Sequence, residues 1–340
     1  MRVGILTGGG DCPGLNAVIR GVVTVGATHG HETIGLLRGW KGLLERDTRP
    51  LSPADVAGIL AEGGTILRSS RTNPYKDEGG PAECAAAMKD LGLDALVAIG
   101  GEDTLGVAGK LHADLGLPTV GVPKTIDNDL SGTDYTFGFW TAVQIASDAI
   151  DRLRTTAASH DRVMVVEVMG RHSGWIAIEA GIAGGADAIL IPEQPVDVDE
   201  IVAGLGRLRA AGRDHAIIVV SEGVEIGGGD EGEVDEFGHK QLAKVGVGEA
   251  LADMLKARTG ADTRATVLGH VQRGGTPIAY DRVLATRYGT HAAQLVQARE
   301  FGRMVALRGD AIVGIPLSEA ISELKLVPPE LYEVASGFFA

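Results

Sequence analysis

Residues 95–104 read ALVAIGGEDT. Five apolar residues in a row, with no polar alternate, suit a strand buried on both faces. Two glycines end the run. Glu102, Asp103 and Thr104 then open an amphipathic stretch that reads as a helix to about Leu115. Strand, tight glycine turn and helix, in that order, form the repeating unit of a parallel sheet with crossover helices.

The same unit recurs on both sides. Residues 3–7 lead into GGGDCPG and a helix from about Leu15. Residues 119–122 precede PKTIDND, residues 163–168 precede MGRHSGW, and residues 216–220 precede Ser221 and Glu222. This alternation predicts an α/β fold, and the 340 residues suit two lobes of about 150 each. Each lobe is expected to be a mainly parallel sheet flanked by helices. In such sheets ligands sit beyond the carboxyl ends of the strands, where every distinctive polar segment of this chain falls. Residues 226–240, IGGGDEGEVDEFGHK, break the pattern. Their glycine and acid content reads as a mobile surface loop or partly disordered insertion.

Composition narrows the function. The 50 glycines are about twice the usual share, as tight strand-to-helix turns require. A net charge of −14 with no basic run argues against nucleic acid. No window approaches the roughly 18 apolar residues that span a bilayer. The start of the chain lacks the basic, apolar and small-residue zones of a signal peptide, and two cysteines do not make a disulfide framework. The expectation is a soluble, cytoplasmic protein without nucleic-acid or membrane partners.

Three polar segments carry the chemistry. GGGDCPGLN, residues 8–16, presents backbone N–H groups and a helix start to an anion. It matches neither the dinucleotide fingerprint nor the Walker A loop, and it also admits a purely structural turn. In GGEDT, residues 100–104, the glycines let backbone approach a phosphate, and the adjacent acids make sense beside it if a divalent cation bridges them. They could also simply cap the helix. PKTIDNDL, residues 123–130, is denser. A phosphoryl transferase needs a base for the acceptor hydroxyl and positive charge on the transferred group. Asp127 can be the base and Lys124 the charge.

Together these segments resemble the phosphofructokinase family, and MGRHSGW (169–175), SEG (221–223) and RATVLGHVQRGG (264–275) extend the resemblance in the same order over nearly the whole chain. The resemblance implies phosphoryl transfer to the C1 hydroxyl of fructose 6-phosphate. It implies Asp127 as the base, flanked by Thr125 and Asp129, and Glu102 as the acid serving Mg²⁺. Gly10, Asp11, Gly101, Thr104 and Arg71 fall on the donor side. Arg162, Arg264, His270 and Arg273 match a cationic clamp on the sugar phosphate, with Met169, Gly170, Arg171 and Glu222 in the same pocket. Arg162 and Arg264 are expected to reach in from a neighbouring subunit of a homodimer or homotetramer. The implied lobes are residues 1–139 with about 272–322, holding the donor, and about 140–271 with 323–340, holding the sugar phosphate.

Two positions depart from the ATP-dependent pattern of that family. Asp103 and Lys124 stand where it has glycine, which resembles the pyrophosphate-dependent branch. Aspartate fills the room that an α-phosphate needs. A like charge at about 4 Å costs about 4 kcal/mol at an effective dielectric of 20. Lys124 favours a small, highly charged donor, and the reaction is expected to be reversible. The alternative is an ATP-dependent enzyme. A non-catalytic sugar-phosphate sensor would be expected to lose the base, yet Asp127 is present. Of the effector-site cations that the resemblance implies, Arg20, Arg154 and Arg213 remain, while Thr24 and Ala211 replace others, which argues against strong allosteric control.

Overall fold

The computed structural model describes residues 1–226 and 246–340. All but Ile226 of the expected surface insertion at 226–240 lies outside the described residues. The chain divides into two compact units, Met1–Thr141 with Arg273–Leu324 and Ala142–Gln272 with Lys325–Ala340. Among the described residues no helix is long and apolar enough to cross a membrane.

The first unit is built on seven strands: β1 (Arg2–Thr7), β2 (Glu32–Leu36), β3 (Thr48–Leu51), β4 (Ala95–Gly100), β5 (Thr119–Pro123), β10 (Arg303–Arg308) and β11 (Ala311–Pro316). Their order is β11-β10-β5-β4-β1-β2-β3. The five inner strands run parallel, and the edges β3 and β11 are antiparallel. β4 and β5 are buried along their whole length, as their unbroken apolar runs require. Leu6, Leu36, Leu96, Leu105 and Met304 share the core with Trp40.

The second unit holds β6 (Val163–Val168), β7 (Ala188–Leu190), β8 (Ala216–Ser221) and β9 (Thr263–Val267). All four are parallel, in the order β7-β8-β6-β9. Val165, Ile218 and Val220 pack against Leu251 and Leu255 of the helix Val247–Thr259. The predicted helices after Leu15 and through Leu115 are present as Leu15–Thr28 and Glu102–Leu115. Each unit is thus a parallel or mainly parallel sheet with crossover helices.

Candidate active site

In the first sheet the chain leaves β1 toward β2 and leaves β4 toward β5. The crevice between β1 and β4 is therefore the point where strand order reverses, the usual ligand position in such sheets. The loops beyond these two strands are the two glycine-rich segments. Gly8 N donates to Ile99 O at 2.9 Å and Gly9 N donates to Ser70 O at 3.0 Å. The Ser69 hydroxyl donates to Gly9 O, so the segment carrying exposed Arg71 is pinned to the β1 loop.

The glycines here have individual reasons. Side chains on Gly8 or Gly100 would collide with Thr104, whose buried hydroxyl fills that space. Gly100 therefore makes room for Thr104, where the sequence reading had it admit a phosphate. Gly9 takes a φ of +77°, costly for any other residue, and the Nζ of Lys124 lies 3.5 Å from where its Cβ would be. The guanidinium of Arg273 fills the side-chain space of Gly10. Lys124 and Arg273 thus arrive from distant parts of the chain at one glycine turn.

Lys124 is buried, and Lys124 N donates to Gly100 O at 2.9 Å. Burial lowers its pKa, with Asp127 and Asp129 opposing that shift and Arg273 adding to it. Cys12 lies in the same electrostatic neighbourhood, but its thiol is buried and donates to Phe137 O at 3.7 Å. Burial pushes that thiol far above its ordinary range, so it is a packing group and no nucleophile.

PKTIDNDL alternates after β5. Ile126, Asn128 and Leu130 are buried, while Thr125, Asp127 and Asp129 are partly exposed. Thr125 Oγ1 accepts from Asp127 N at 3.0 Å, and Thr136 Oγ1 donates to Thr125 O at 2.7 Å. Asn128, which the sequence reading left without a role, holds the loop. It adopts φ +53° and its Oδ1 accepts from Thr136 N at 3.1 Å. An asparagine tolerates that conformation better than most residues, which is the signal that could have found it.

The two helix starts differ. Cys12 to Leu15 are buried, so the helix Leu15–Thr28 does not offer its N-terminus to a ligand. Only Gly9, Gly10 and Asp11 of the loop reach the surface. The helix Glu102–Leu115 begins with exposed Glu102 and Asp103, follows partly exposed Gly101, and has no side-chain cap. A helix N-terminus without a side-chain cap suits an anion.

Asp281 also escaped the sequence reading. It is fully buried on the helix Ala279–Ala298, and its Oδ2 accepts from Thr141 N at 2.7 Å and from Thr141 Oγ1 at 2.6 Å. Burial raises its pKa to about 6.

In the second unit the carboxyl ends of β6 and β8 lie side by side. Glu222 N donates to Val168 O at 2.9 Å, Gly223 N donates to Gly170 O at 3.1 Å, and the Ser221 hydroxyl donates to Gly170 O at 2.5 Å. Gly170 has φ +130°, and a Cβ there would meet Ser221 Oγ at 2.7 Å. Gly223 needs its glycine because a Cβ would strike the carbonyl of Arg171. Gln272, another residue missed from sequence, is buried; its Oε1 accepts from Met169 N at 3.3 Å and its Nε2 donates to Gly269 O at 3.1 Å. Met169, Gly170, Arg171 and Glu222 are therefore gathered at the carboxyl end of the sheet's two inner strands, with exposed His270 in the turn tied to it.

Arg162 and Arg264 are elsewhere. Arg162 precedes β6 and Arg264 is the second residue of β9, at the amino ends of the strands. The six residues of β6 put Arg162 about 20 Å from Met169. Arg273 closes the turn Gly269–Arg273 that carries His270, and it is the first residue of the chain's return to the first unit.

The remaining effector-type cations of the second unit are occupied. Arg213 pairs with buried Asp187, which also accepts from Ile217 N at 2.8 Å. Arg154 donates to the carbonyls of Gly184 and Gly185. Among the described residues no group of three or more His, Cys, Asp or Glu side chains could hold a metal alone. Mg²⁺ commonly binds through one or two carboxylates plus substrate phosphates, and exposed Glu102 fits that mode.

The family model for phosphofructokinase matches residues 2–296. A relative from Amycolatopsis methanolica, named pyrophosphate–fructose 6-phosphate 1-phosphotransferase, is 62% identical over 344 residues and covers 100% of both chains. A relative from Streptomyces coelicolor, named ATP-dependent 6-phosphofructokinase 3, is 53% identical over 340 residues, covering 98% of this chain and 99% of its own. Among solved structures, Pichia pastoris phosphofructokinase in the T-state is similar with a TM-score of 0.84 at 32% identity, covering 99% of this chain and 36% of that one. This chain thus spans about a third of the Pichia chain. The chain belongs to the phosphofructokinase family.

Proposed function

We propose that this protein transfers a phosphoryl group from pyrophosphate to the C1 hydroxyl of fructose 6-phosphate, giving fructose 1,6-bisphosphate and inorganic phosphate in a reversible, Mg²⁺-dependent reaction. The observation that carries the donor assignment is the buried Lys124 ammonium beneath Gly9, with Asp103 on the open first turn after β4. A compact donor of high charge density suits that lysine, and Asp103 opposes a nucleotide's α-phosphate.

Asp127 takes the proton of the C1 hydroxyl as its oxygen forms the new bond to phosphorus and the bridging P–O bond of the donor breaks. Lys124 and Arg273 balance the charge on the transferred group. Glu102 would hold Mg²⁺ through the donor phosphates, and the ion would supply further charge neutralisation there. The first unit is the donor lobe in this reading and the second binds the sugar phosphate with Met169, Gly170, Arg171, Glu222 and His270. Because the length of β6 separates Arg162 and Arg264 from those residues, the two arginines serve the site of a neighbouring subunit, and the protein works as a homo-oligomer. Two free cysteines, both buried, suit the reducing cytoplasm.

The second reading is an ATP-dependent enzyme, favoured by the relative of that name at 53% identity. Initial rates with fructose 6-phosphate and Mg²⁺, pyrophosphate against ATP, decide between them. A kcat/KM at least tenfold higher for pyrophosphate is expected, and a preference for ATP would overturn the donor assignment.

A further inference from the structure

Asp262 stands between the two arginines that the catalytic ends of the second sheet leave behind. Its Oδ2 accepts from Arg162 Nε at 2.7 Å, and its Oδ1 lies 3.1 Å from Arg264 Nε. The register explains this. β6 pairs with β9 so that Val163 faces Thr263, and Val163 N donates to Asp262 O at 3.1 Å. Arg162 and Asp262, each one residue ahead of its strand, are therefore neighbours by sheet geometry, and Arg264 follows two residues on.

Both contacts use Nε. The N–H groups on the terminal nitrogens of each guanidinium stay available, and these are the ones that grip phosphate bidentately. No other ion pair or side-chain hydrogen bond engages either arginine among the described residues. The charge count fits as well. Hydrogen bonding from Arg162, with Arg264 and Lys256 nearby, holds the Asp262 carboxyl below its usual range, so it stays ionised. One carboxylate facing three cations leaves positive charge in excess, as a phosphate dianion requires.

We propose that Asp262 is a positioning residue for the sugar phosphate, clasping Arg162 and Arg264 by their Nε atoms so that the two guanidiniums are presented together as one phosphate grip. This rests on the reading that these arginines contact the sugar phosphate. A surface ion pair with no further role would matter little to either substrate.

The test is steady-state kinetics on the assembled enzyme with Asp262→Asn, Asp262→Glu, Arg162→Ala and Arg264→Lys. Asp262→Asn raises KM for fructose 6-phosphate about tenfold, equivalent to about 1.4 kcal/mol. It leaves KM for pyrophosphate unchanged and kcat within about threefold, and Asp262→Glu restores most of the loss. A correctly assembled Asp262→Asn enzyme with KM for fructose 6-phosphate within twofold of wild type overturns the proposal, and so does a parallel fall in kcat and in affinity for both substrates. Arg264→Lys gives a second measurement, because lysine lacks the forked guanidinium. Adding Asp262→Asn to it then costs little more, whereas fully additive effects overturn the proposal. If Arg162→Ala and Arg264→Lys both leave that KM unaltered, the reading of the arginines fails along with the role of Asp262. If they raise it and Asp262→Asn does not, only the role of Asp262 fails.

Discussion

The guanidinium of Arg273 occupies the space that a side chain on Gly10 would fill. Gly10 has no positive φ, so its backbone accepts alanine and only the arginine must yield. Gly10→Ala is expected to leave folding intact and to lower kcat/KM at least tenfold. The check is kinetics alongside thermal unfolding. An enzyme of normal activity would show that Arg273 does its work away from the donor loop.

Asp127 is partly exposed on a loop fixed by Thr125, Asn128 and Thr136, so its shape survives a conservative change. Asp127→Asn should cost about 10²–10⁴ in kcat, the usual scale for general base catalysis, with KM for fructose 6-phosphate largely kept. Near-normal kcat would remove Asp127 from the role.

Donor choice separates two residues. Asp103→Gly should let ATP act as a donor, at least weakly. Lys124→Gly should chiefly damage the pyrophosphate reaction, by about 3–4 kcal/mol in transition-state stabilisation. The measurement is kcat/KM for each donor in wild type, both single variants and the double. If Asp103→Gly leaves ATP inert, the block lies elsewhere in the donor pocket.

Assembly can be probed by complementation. Asp127→Asn and Arg162→Ala protomers are each expected to be nearly inactive alone. Hybrids of the two should regain activity, since some sites then carry an intact base and an intact partner arginine. Verified hybrids without activity would count against shared sites.

Asp281 makes stability depend on pH. Its folded pKa of about 6 lies above the ordinary aspartate value of 3.8. The native state therefore holds the proton more tightly, and its stabilising effect, complete below about pH 4, is lost as pH rises through about 6. Asp281→Asn keeps an acceptor for Thr141 without a charge. The stability of this variant relative to wild type should grow by up to about 3 kcal/mol between pH 4 and 7. Denaturant unfolding at both pH values measures it; a constant difference would mean that Asp281 stays ionised throughout.

The interior of the fold was legible because strands buried on both faces write their burial into unbroken apolar runs. β1, β4, β5, β6 and β8 all do so, and the glycine turns and PKTIDNDL follow them directly. The edge strands were missed for the complementary reason. β3 and β9 mix exposed and buried positions, β7 has only three residues, and β11 is mostly half-buried. β2 and β10 carry long buried runs and were legible in principle.

The sequence by itself determined the α/β alternation, the placement of Asp127, the proposed base, directly after a buried strand, and the unusual pair Asp103 and Lys124, since each is a matter of residue type within one short segment. Only the tertiary structure decided that Thr104 fills the side-chain space of Gly8, that Arg273 lies on Gly10, that the start of the helix Leu15–Thr28 is buried, and that Asp262 joins Arg162 to Arg264. Those are meetings of segments far apart in the chain. They are set by strand order and register, which arise from the packing of the whole sheet and leave no mark on local spacing.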